Sequence, residues 1–158
     1  MVGAFTSESR DQRDLDRQEQ PVRGPATAIP GVLLVDDERE FLRTVAFQLK
    51  DEFEIVGMSL DGARAVALTT KLSPDVVVLD ISMPTTSGLE VALCLGERHC
   101  PARIVFLTVH DDPDFVQAAL TAGASGYVLK PRLMTDLVPA IWAALNGDTF
   151  ISPPLRAA

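Results

Sequence analysis

Four short apolar runs of the sequence each end in polar side chains that can do chemistry. The runs end at Asp36 with Asp37, at Asp80, at Thr108 and at Lys130. If the runs are neighbouring strands of one parallel sheet, these side chains meet at its carboxyl edge, where open α/β sheets bind their ligands. Three carboxylates, a hydroxyl and an ammonium are the groups that a metal-assisted phosphoryl-transfer site requires.

The three carboxylates indicate a metal ion. An Asp-Asp pair after a strand can simply cap the next helix, and for Asp36 and Asp37 alone that role would suffice. Asp80 ends a different run, and strand formation gives no reason for an acid there. Clustered acids repel one another unless a cation joins them, and all-oxygen ligands favour Mg²⁺ or Mn²⁺.

Lys130 and Thr108 add a cation and a hydroxyl to the acids. Lys130 is one of only three lysines in the chain. Taken alone, it would be a surface lysine at a strand end, and Thr108 would be a helix-entry residue. Beside Asp80, the ammonium can pair with the carboxylate of the empty site and then contact a phosphoryl oxygen. The hydroxyl can hydrogen-bond the same group.

The elements that position these residues show alternating periodicities. The sequence predicts five strands, at 31–35, 53–58, 76–80, 103–108 and 127–130. It predicts five helices, at 38–50, 61–72, 87–98, 113–122 and 134–146. Unbroken apolar strands such as Val76–Leu79 are typical of strands buried on both faces. The strict alternation therefore predicts an α/β fold with a doubly wound parallel sheet.

Composition limits the class of protein. The chain has 158 residues, 47% of them hydrophobic, and a formal net charge of −8. The acidic charge disfavours direct nucleic-acid binding, because the phosphate backbone would be repelled. The sequence shows neither a secretory signal nor an apolar run near the roughly 20 residues that span a bilayer. We therefore expect a cytoplasmic protein without membrane contact.

Three parts are predicted along the chain. Residues 1–30 form a polar N-terminal tail, which we expect to be disordered because charged residues and prolines crowd it. Residues 31–148 form the regular α/β domain. Residues 149–158 are expected to be a C-terminal linker or tail.

The functional residues and the stretches around them resemble the receiver domain of two-component response regulators. The matching stretches are Leu33–Glu38, Val78–Pro84, Gly88–Glu90, Leu107–Thr108 and Ala122–Pro131. The last of these contains Gly-Ala-Ser-Gly-Tyr, which is typical of the LuxR/NarL-type subfamily. The resemblance implies a flavodoxin-like (CheY-like) five-stranded sheet in the strand order 2-1-3-4-5.

The resemblance also implies a role for each site residue. Asp80 would accept a phosphoryl group from a sensor histidine kinase in a reaction that depends on Mg²⁺ or Mn²⁺. The implied metal ligands are Asp36, Asp37, Asp80 and the backbone carbonyl of Ser82. Thr108 and Lys130 would bind the phosphoryl oxygens. The domain would not be a separate enzyme, although it would promote its own phosphotransfer and autodephosphorylation.

Tyr127 is the implied switch residue. Family members carry an aromatic residue here that turns inward when the threonine moves toward the phosphate. The movement would change the surface made by the fourth helix, the fifth strand and the fifth helix. The simpler interpretation of Tyr127 is a fixed core aromatic. The resemblance further implies a cis peptide bond between Lys130 and Pro131.

Partners and rival functions follow from the same resemblance. We expect a sensor histidine kinase as donor, a downstream protein or a DNA-binding domain outside this chain as output, and a phosphorylation-dependent homodimer. One alternative is the truncated receiver half of a helix-turn-helix transcriptional regulator, because the residues after 149 cannot hold such a module. Another is a phosphate-independent interaction module. A haloacid-dehalogenase-type phosphatase is disfavoured, because its second Asp would stand where Ser82 does.

Overall fold

The computed structural model describes residues 28–155. The strands are β1 (Gly31–Val35), β2 (Glu54–Ser59), β3 (Val76–Leu79), β4 (Arg103–Thr108), β5 (Gly126–Leu129) and β6 (Phe150–Ile151). The helices are α1 (Arg39–Leu49), α2 (Gly62–Leu72), α3 (Gly88–Glu97), α4 (Pro113–Thr121) and α5 (Leu133–Leu145), with a 3₁₀ turn at Lys130–Arg132. Apart from residues 28–30, the predicted tail lies outside the described residues.

The strands form one parallel sheet in the order β2-β1-β3-β4-β5-β6. The predicted α/β class and the order of the five predicted strands are confirmed. A sixth strand, which the sequence interpretation did not include, pairs with β5 through Gly126 with Phe150 and Tyr127 with Ile151. Two residues are too few to show a strand period, so only the pairing itself identifies β6.

Helices cover both faces of the sheet. Successive residues of a strand point to opposite faces, so Leu33 packs with the side of α2, α3 and α4, whereas Leu34 packs with that of α1 and α5. Both leucines are fully buried, as predicted for strands that are buried on both faces of the sheet. None of the helices within residues 28–155 has the length and apolarity that a membrane crossing requires.

Side-chain caps start three helices and so fix the loops at the carboxyl edge. Asp61 accepts a hydrogen bond from the amide of Arg64 at 2.8 Å and so caps α2. Ser87 caps α3, and Asp112 caps α4 ahead of Pro113. Each loop therefore has a defined end where the chain enters a helix.

The peptide bond between Lys130 and Pro131 is trans, so the cis form that the resemblance implied is wrong for this structure. The chain enters a 3₁₀ turn here, and the fixed φ of proline suits the first turn of a helical segment. Among the described residues, the cis form occurs at Pro153–Pro154.

Candidate functional site

Sheet register brings the predicted site residues together at the carboxyl edge. The amide of Asp36 donates to the carbonyl of Ser59 at 3.1 Å, and that of Asp80 donates to the carbonyl of Val35 at 3.0 Å. Both acids therefore continue the hydrogen-bonded ladder by one residue. Thr108 is the last residue of β4 and Lys130 follows β5 directly, so neighbouring strands present the whole set.

The three acids form a tight cluster. One carboxylate oxygen of each of Asp36, Asp37 and Asp80 lies within 4.8 Å of the others. Asp36 and Asp80 are only 2% and 5% exposed, whereas Asp37 is exposed. Asp36 Oδ1 accepts from the amide of Glu38 at 2.9 Å. Asp80 Oδ1 is buried and has no hydrogen-bond partner within residues 28–155.

Lys130 lies against two of these carboxylates. Its Nζ is 2.7 Å from Asp36 Oδ2 and 3.4 Å from Asp80 Oδ2. The same Nζ lies 4.4 Å from the centroid of the Phe41 ring, a cation–π contact. Sequence analysis placed Phe41 only within the predicted helix at 38–50, without a role in the site. The one feature of the sequence that could have indicated a contact with the site is the position of Phe41 in the first turn of the helix after Asp36 and Asp37.

Burial and charge set the protonation of the site. Burial raises the pKa of Asp80 and the charge of Asp36 raises it further, and together they outweigh the opposing charge of Lys130. Burial alone would lower the pKa of the Lys130 ammonium, but its contacts with Asp36 and Asp80 raise it. Lys130 therefore stays charged at neutral pH.

The donor set fits a small divalent cation. Three carboxylates against one ammonium leave two negative charges when all are ionised, and every ligand atom is an oxygen. The buried Asp80 Oδ1, which lacks a hydrogen-bond partner in the described chain, is left for such an ion or for an incoming group. Ser82, the predicted carbonyl ligand, follows Asp80 by two residues and is exposed.

Thr108 and Tyr127 are joined through His110. Thr108 is fully buried, and its Oγ1 accepts from the amide of His110 at 3.3 Å. Tyr127 is also fully buried, and its hydroxyl donates to the carbonyl of His110 at 2.7 Å. Burial raises the pKa of Tyr127, with further increases from Asp111 and Asp112. The phenol therefore stays neutral and remains a donor.

The His110 side chain contacts the loop that follows Asp80. Its Nε2 hydrogen-bonds the hydroxyl of Ser82, and its ring stacks on Phe115 with centroids 4.1 Å apart. The loop after β3 and the loop after β4 are thereby tied together. No local sequence signal indicated this contact, because the two residues are 28 positions apart.

Gly88 allows the loop after Asp80 to close. A Cβ at this position would lie 2.0 Å from the carbonyl oxygen of Asp80. The amide of Gly88 donates to the carbonyl of Ile81 at 2.8 Å. The start of α3 is thus packed directly against the backbone of Asp80, an approach that only glycine permits.

Comparison with known proteins identifies a family. The family model described as the response regulator receiver domain matches residues 32–142. The chain is 35% identical over 124 residues to the transcriptional regulatory protein DegU of Brevibacillus brevis, covering 77% of this chain and 52% of that protein. It is 34% identical over 126 residues to the probable transcriptional regulatory protein NarL of Mycobacterium tuberculosis, covering 78% and 58%. The chain therefore spans little more than half the length of these curated relatives.

Solved structures agree with the family match. A LuxR-family two-component response regulator from an Aurantimonas species superposes with a TM-score of 0.76 at 31% identity, covering 80% of this chain and 91% of that one. The receiver domain of the putative regulator NarL from Mycobacterium tuberculosis gives a TM-score of 0.71 at 33% identity, covering 75% and 97%. The similarity thus extends to the arrangement of the elements around the site.

Proposed function

Because the chain belongs to the response regulator receiver family, we propose that it accepts a phosphoryl group on Asp80 in a Mg²⁺-dependent reaction. One observation carries the proposal. Asp80 Oδ1 is buried among two further acids and a lysine, and it has no hydrogen-bond partner in the described chain. An oxygen left in this state can act as a nucleophile toward phosphorus.

The transfer step uses the Asp80 carboxylate. Its oxygen forms a bond to phosphorus while the bond from phosphorus to the imidazole nitrogen of a phosphohistidine breaks, and the leaving imidazole takes up a proton. When bound, Mg²⁺ or Mn²⁺ would be held by Asp36, Asp37, Asp80 and the Ser82 carbonyl, and it would offset the charge of the phosphoryl oxygens.

Lys130 and Thr108 then bind the phosphoryl group. In the structure the ammonium of Lys130 forms ion pairs with the carboxylates of Asp36 and Asp80. After transfer, the ammonium can replace one of these ion pairs with a contact to a phosphoryl oxygen. The Thr108 hydroxyl accepts from His110, so its own proton is available to the phosphoryl group. A shift of Thr108 reaches Tyr127 through His110 and alters the surface formed by α4, β5 and α5.

The proposed setting is the cytoplasm, with a sensor histidine kinase as donor. The relatives are named as transcriptional regulators and are longer than this chain. We therefore propose a DNA-binding domain or a downstream protein as the output, with phosphorylation-dependent pairing of two copies. The domain promotes its own phosphotransfer and autodephosphorylation and has no other enzymatic role.

Intact mass after incubation with Mg²⁺ and acetyl phosphate tests the proposal. We expect a hydroxylamine-labile gain of one phosphoryl group, which is absent from Asp80→Asn and from an EDTA control. Lys130→Ala should still bind Mg²⁺ in a calorimetric titration but fail to signal to its output. If the wild-type protein neither gains mass nor binds Mg²⁺, the proposal is wrong and the domain acts without phosphate.

A further inference from the structure

The segment after α5 is fixed to the strand that leads to Lys130. The amide of Phe150 donates to the carbonyl of Ser125 at 3.0 Å, and the amide of Ser152 donates to the carbonyl of Tyr127 at 2.8 Å. The hydroxyl of Ser152 then accepts from the amide of Leu129 at 3.1 Å. β6 and Ser152 therefore line the outer edge of β5 as far as the residue before Lys130.

A buried carboxylate anchors this segment. Asp136, in the first turn of α5, is 5% exposed, and its Oδ2 accepts from the hydroxyl of Ser152 at 2.7 Å. Arg132 donates to both of its oxygens, at 2.6 Å from Nε and 3.2 Å from Nη2. Burial alone would raise the pKa of Asp136, but the hydrogen bonds from Arg132, Ser152 and Thr135 hold it below its usual value. Asp136 is therefore ionised at neutral pH.

The two anchored groups flank Lys130 in the chain. Leu129, on one side, is bound to Ser152, which is bound to Asp136. Arg132, at the end of the 3₁₀ turn that Lys130 begins, is bound to Asp136 directly. One carboxylate thus fixes the backbone before Lys130 and the side chain after it. None of these groups belongs to the acid cluster.

We propose that Asp136 and Ser152 are positioning residues for Lys130. The segment that contains β6 and Ser152 would then hold Lys130 in the position from which it binds the phosphoryl group. The inference rests on the proposed function. Its consequence is reciprocal, because a coupling between two binding events acts equally in both directions. If Ser152 strengthens binding of a phosphoryl analogue at Asp80 and Lys130, then binding of the analogue must in turn stabilise the pairing of β6 with β5. The two effects have the same factor.

A purely structural role predicts something different. In that case Ser152 and Asp136 would hold the C-terminal segment, and their loss would loosen it without affecting ligand binding at Lys130. Occupation of the site would equally leave β6 unchanged. Affinity for a phosphoryl analogue, together with hydrogen exchange of β6, therefore separates the two roles.

The test uses the whole chain and beryllofluoride with Mg²⁺ as the phosphoryl analogue. We expect Ser152→Ala to weaken beryllofluoride binding about tenfold, the scale of one lost hydrogen bond to a charged network, while Mg²⁺ affinity alone is kept. In the wild-type protein, beryllofluoride should slow exchange at the amides of Phe150 and Ser152 by a similar factor. Asp136→Asn should act in the same direction as Ser152→Ala.

Thr135→Ala is the matched control. Thr135 Oγ1 also donates to Asp136, at 3.1 Å to Oδ1, and it lies 3.2 Å from the carbonyl of Arg132, but Thr135 is exposed and neither contact involves Leu129 or Ser152. We expect its beryllofluoride affinity to stay within about twofold of the wild type, because it does not link Asp136 to Leu129.

The outcomes are separable. If the wild-type protein binds beryllofluoride and Ser152→Ala binds it equally well, the positioning role is wrong and the proposed function stands. If Ser152→Ala does not fold, unchanged exchange at Phe150 and Ser152 in the wild-type complex overturns the inference by itself. If the wild-type protein neither binds beryllofluoride nor is labelled by acetyl phosphate, the proposed function fails and this inference fails with it.

Discussion

Thr108 and Tyr127 are hydrogen-bonded to the backbone of the same residue, His110. The Thr108 hydroxyl accepts from the amide of His110, and the Tyr127 hydroxyl donates to its carbonyl. Both side chains are fully buried, so neither can turn without breaking a hydrogen bond that the interior cannot replace. This arrangement connects Thr108, at the proposed phosphoryl site, to the strand β5.

Tyr127→Phe tests that connection, because it removes only the hydroxyl. The carbonyl of His110 would lose its donor, and we expect the free energy of unfolding to fall by about 1 kcal/mol. Hydrogen exchange over residues 109–112 should become faster. Labelling of Asp80 by acetyl phosphate should persist, because the lost hydroxyl does not contact the acid cluster. Unchanged exchange in this loop would show that the hydrogen bond does not order it.

Gly88→Ala should damage the site through the backbone. The added methyl would meet the Asp80 carbonyl at 2.0 Å, so Asp80 or the start of α3 must move. We expect a loss of about 1–3 kcal/mol in unfolding free energy and much slower labelling. Gly96→Ala is the control, since nothing lies within 4 Å of a Cβ there, and it should stabilise by about 0.5–1 kcal/mol. Normal labelling of Gly88→Ala would contradict the close approach.

Phe41→Leu tests the ring contact of Lys130. Leucine keeps an apolar side chain but removes the π face that attracts the ammonium, and such contacts contribute about 0.5–2 kcal/mol. We expect labelling by acetyl phosphate to slow about two- to fivefold. Phe47→Leu removes a comparable contact, with Lys50 at 4.1 Å, on the exposed side of α1, and it should label at the wild-type rate. Equal labelling rates for the two variants would show that the ring of Phe41 does not contribute to the site.

Asp80→Asn should stabilise the metal-free protein at neutral pH. Burial raises the folded-state pKa of Asp80, so its contribution to stability is present below the unfolded pKa and is lost as pH rises through the folded value. At pH 7 the wild type carries a buried carboxylate beside Asp36, and asparagine removes that charge. We expect a gain of about 1 kcal/mol, measured by urea unfolding in EDTA.

The gain should shrink as the pH falls toward 4, because the wild-type carboxyl then becomes neutral as well. Saturating Mg²⁺ should reverse the order of stability, because it binds the folded wild type more tightly than the variant. A variant that is less stable than the wild type in EDTA at pH 7 would show that the carboxylate of Asp80 is held favourably by Lys130.

Much of the fold and the acid cluster could be predicted because the signals are local. Each run ends at a candidate site residue, and strand order brings the ends together, so the proximity of Asp36, Asp80 and Lys130 could be predicted from their positions. β6 could not be predicted, because two residues have no period and their pairing depends on β5. The contact between Phe41 and Lys130 also could not be predicted, because it joins residues that are distant in the chain.

Chemical mapping of the phosphorylated residue tests the central claim most directly. The protein would be incubated with Mg²⁺ and acetyl phosphate, reduced with borohydride, digested and sequenced by mass spectrometry, because reduction converts an aspartyl phosphate to homoserine. We predict homoserine at position 80 and unmodified Asp36 and Asp37. Homoserine at either of those two residues, or a reduction-resistant phosphate ester on Ser82 or Thr108, would contradict the account.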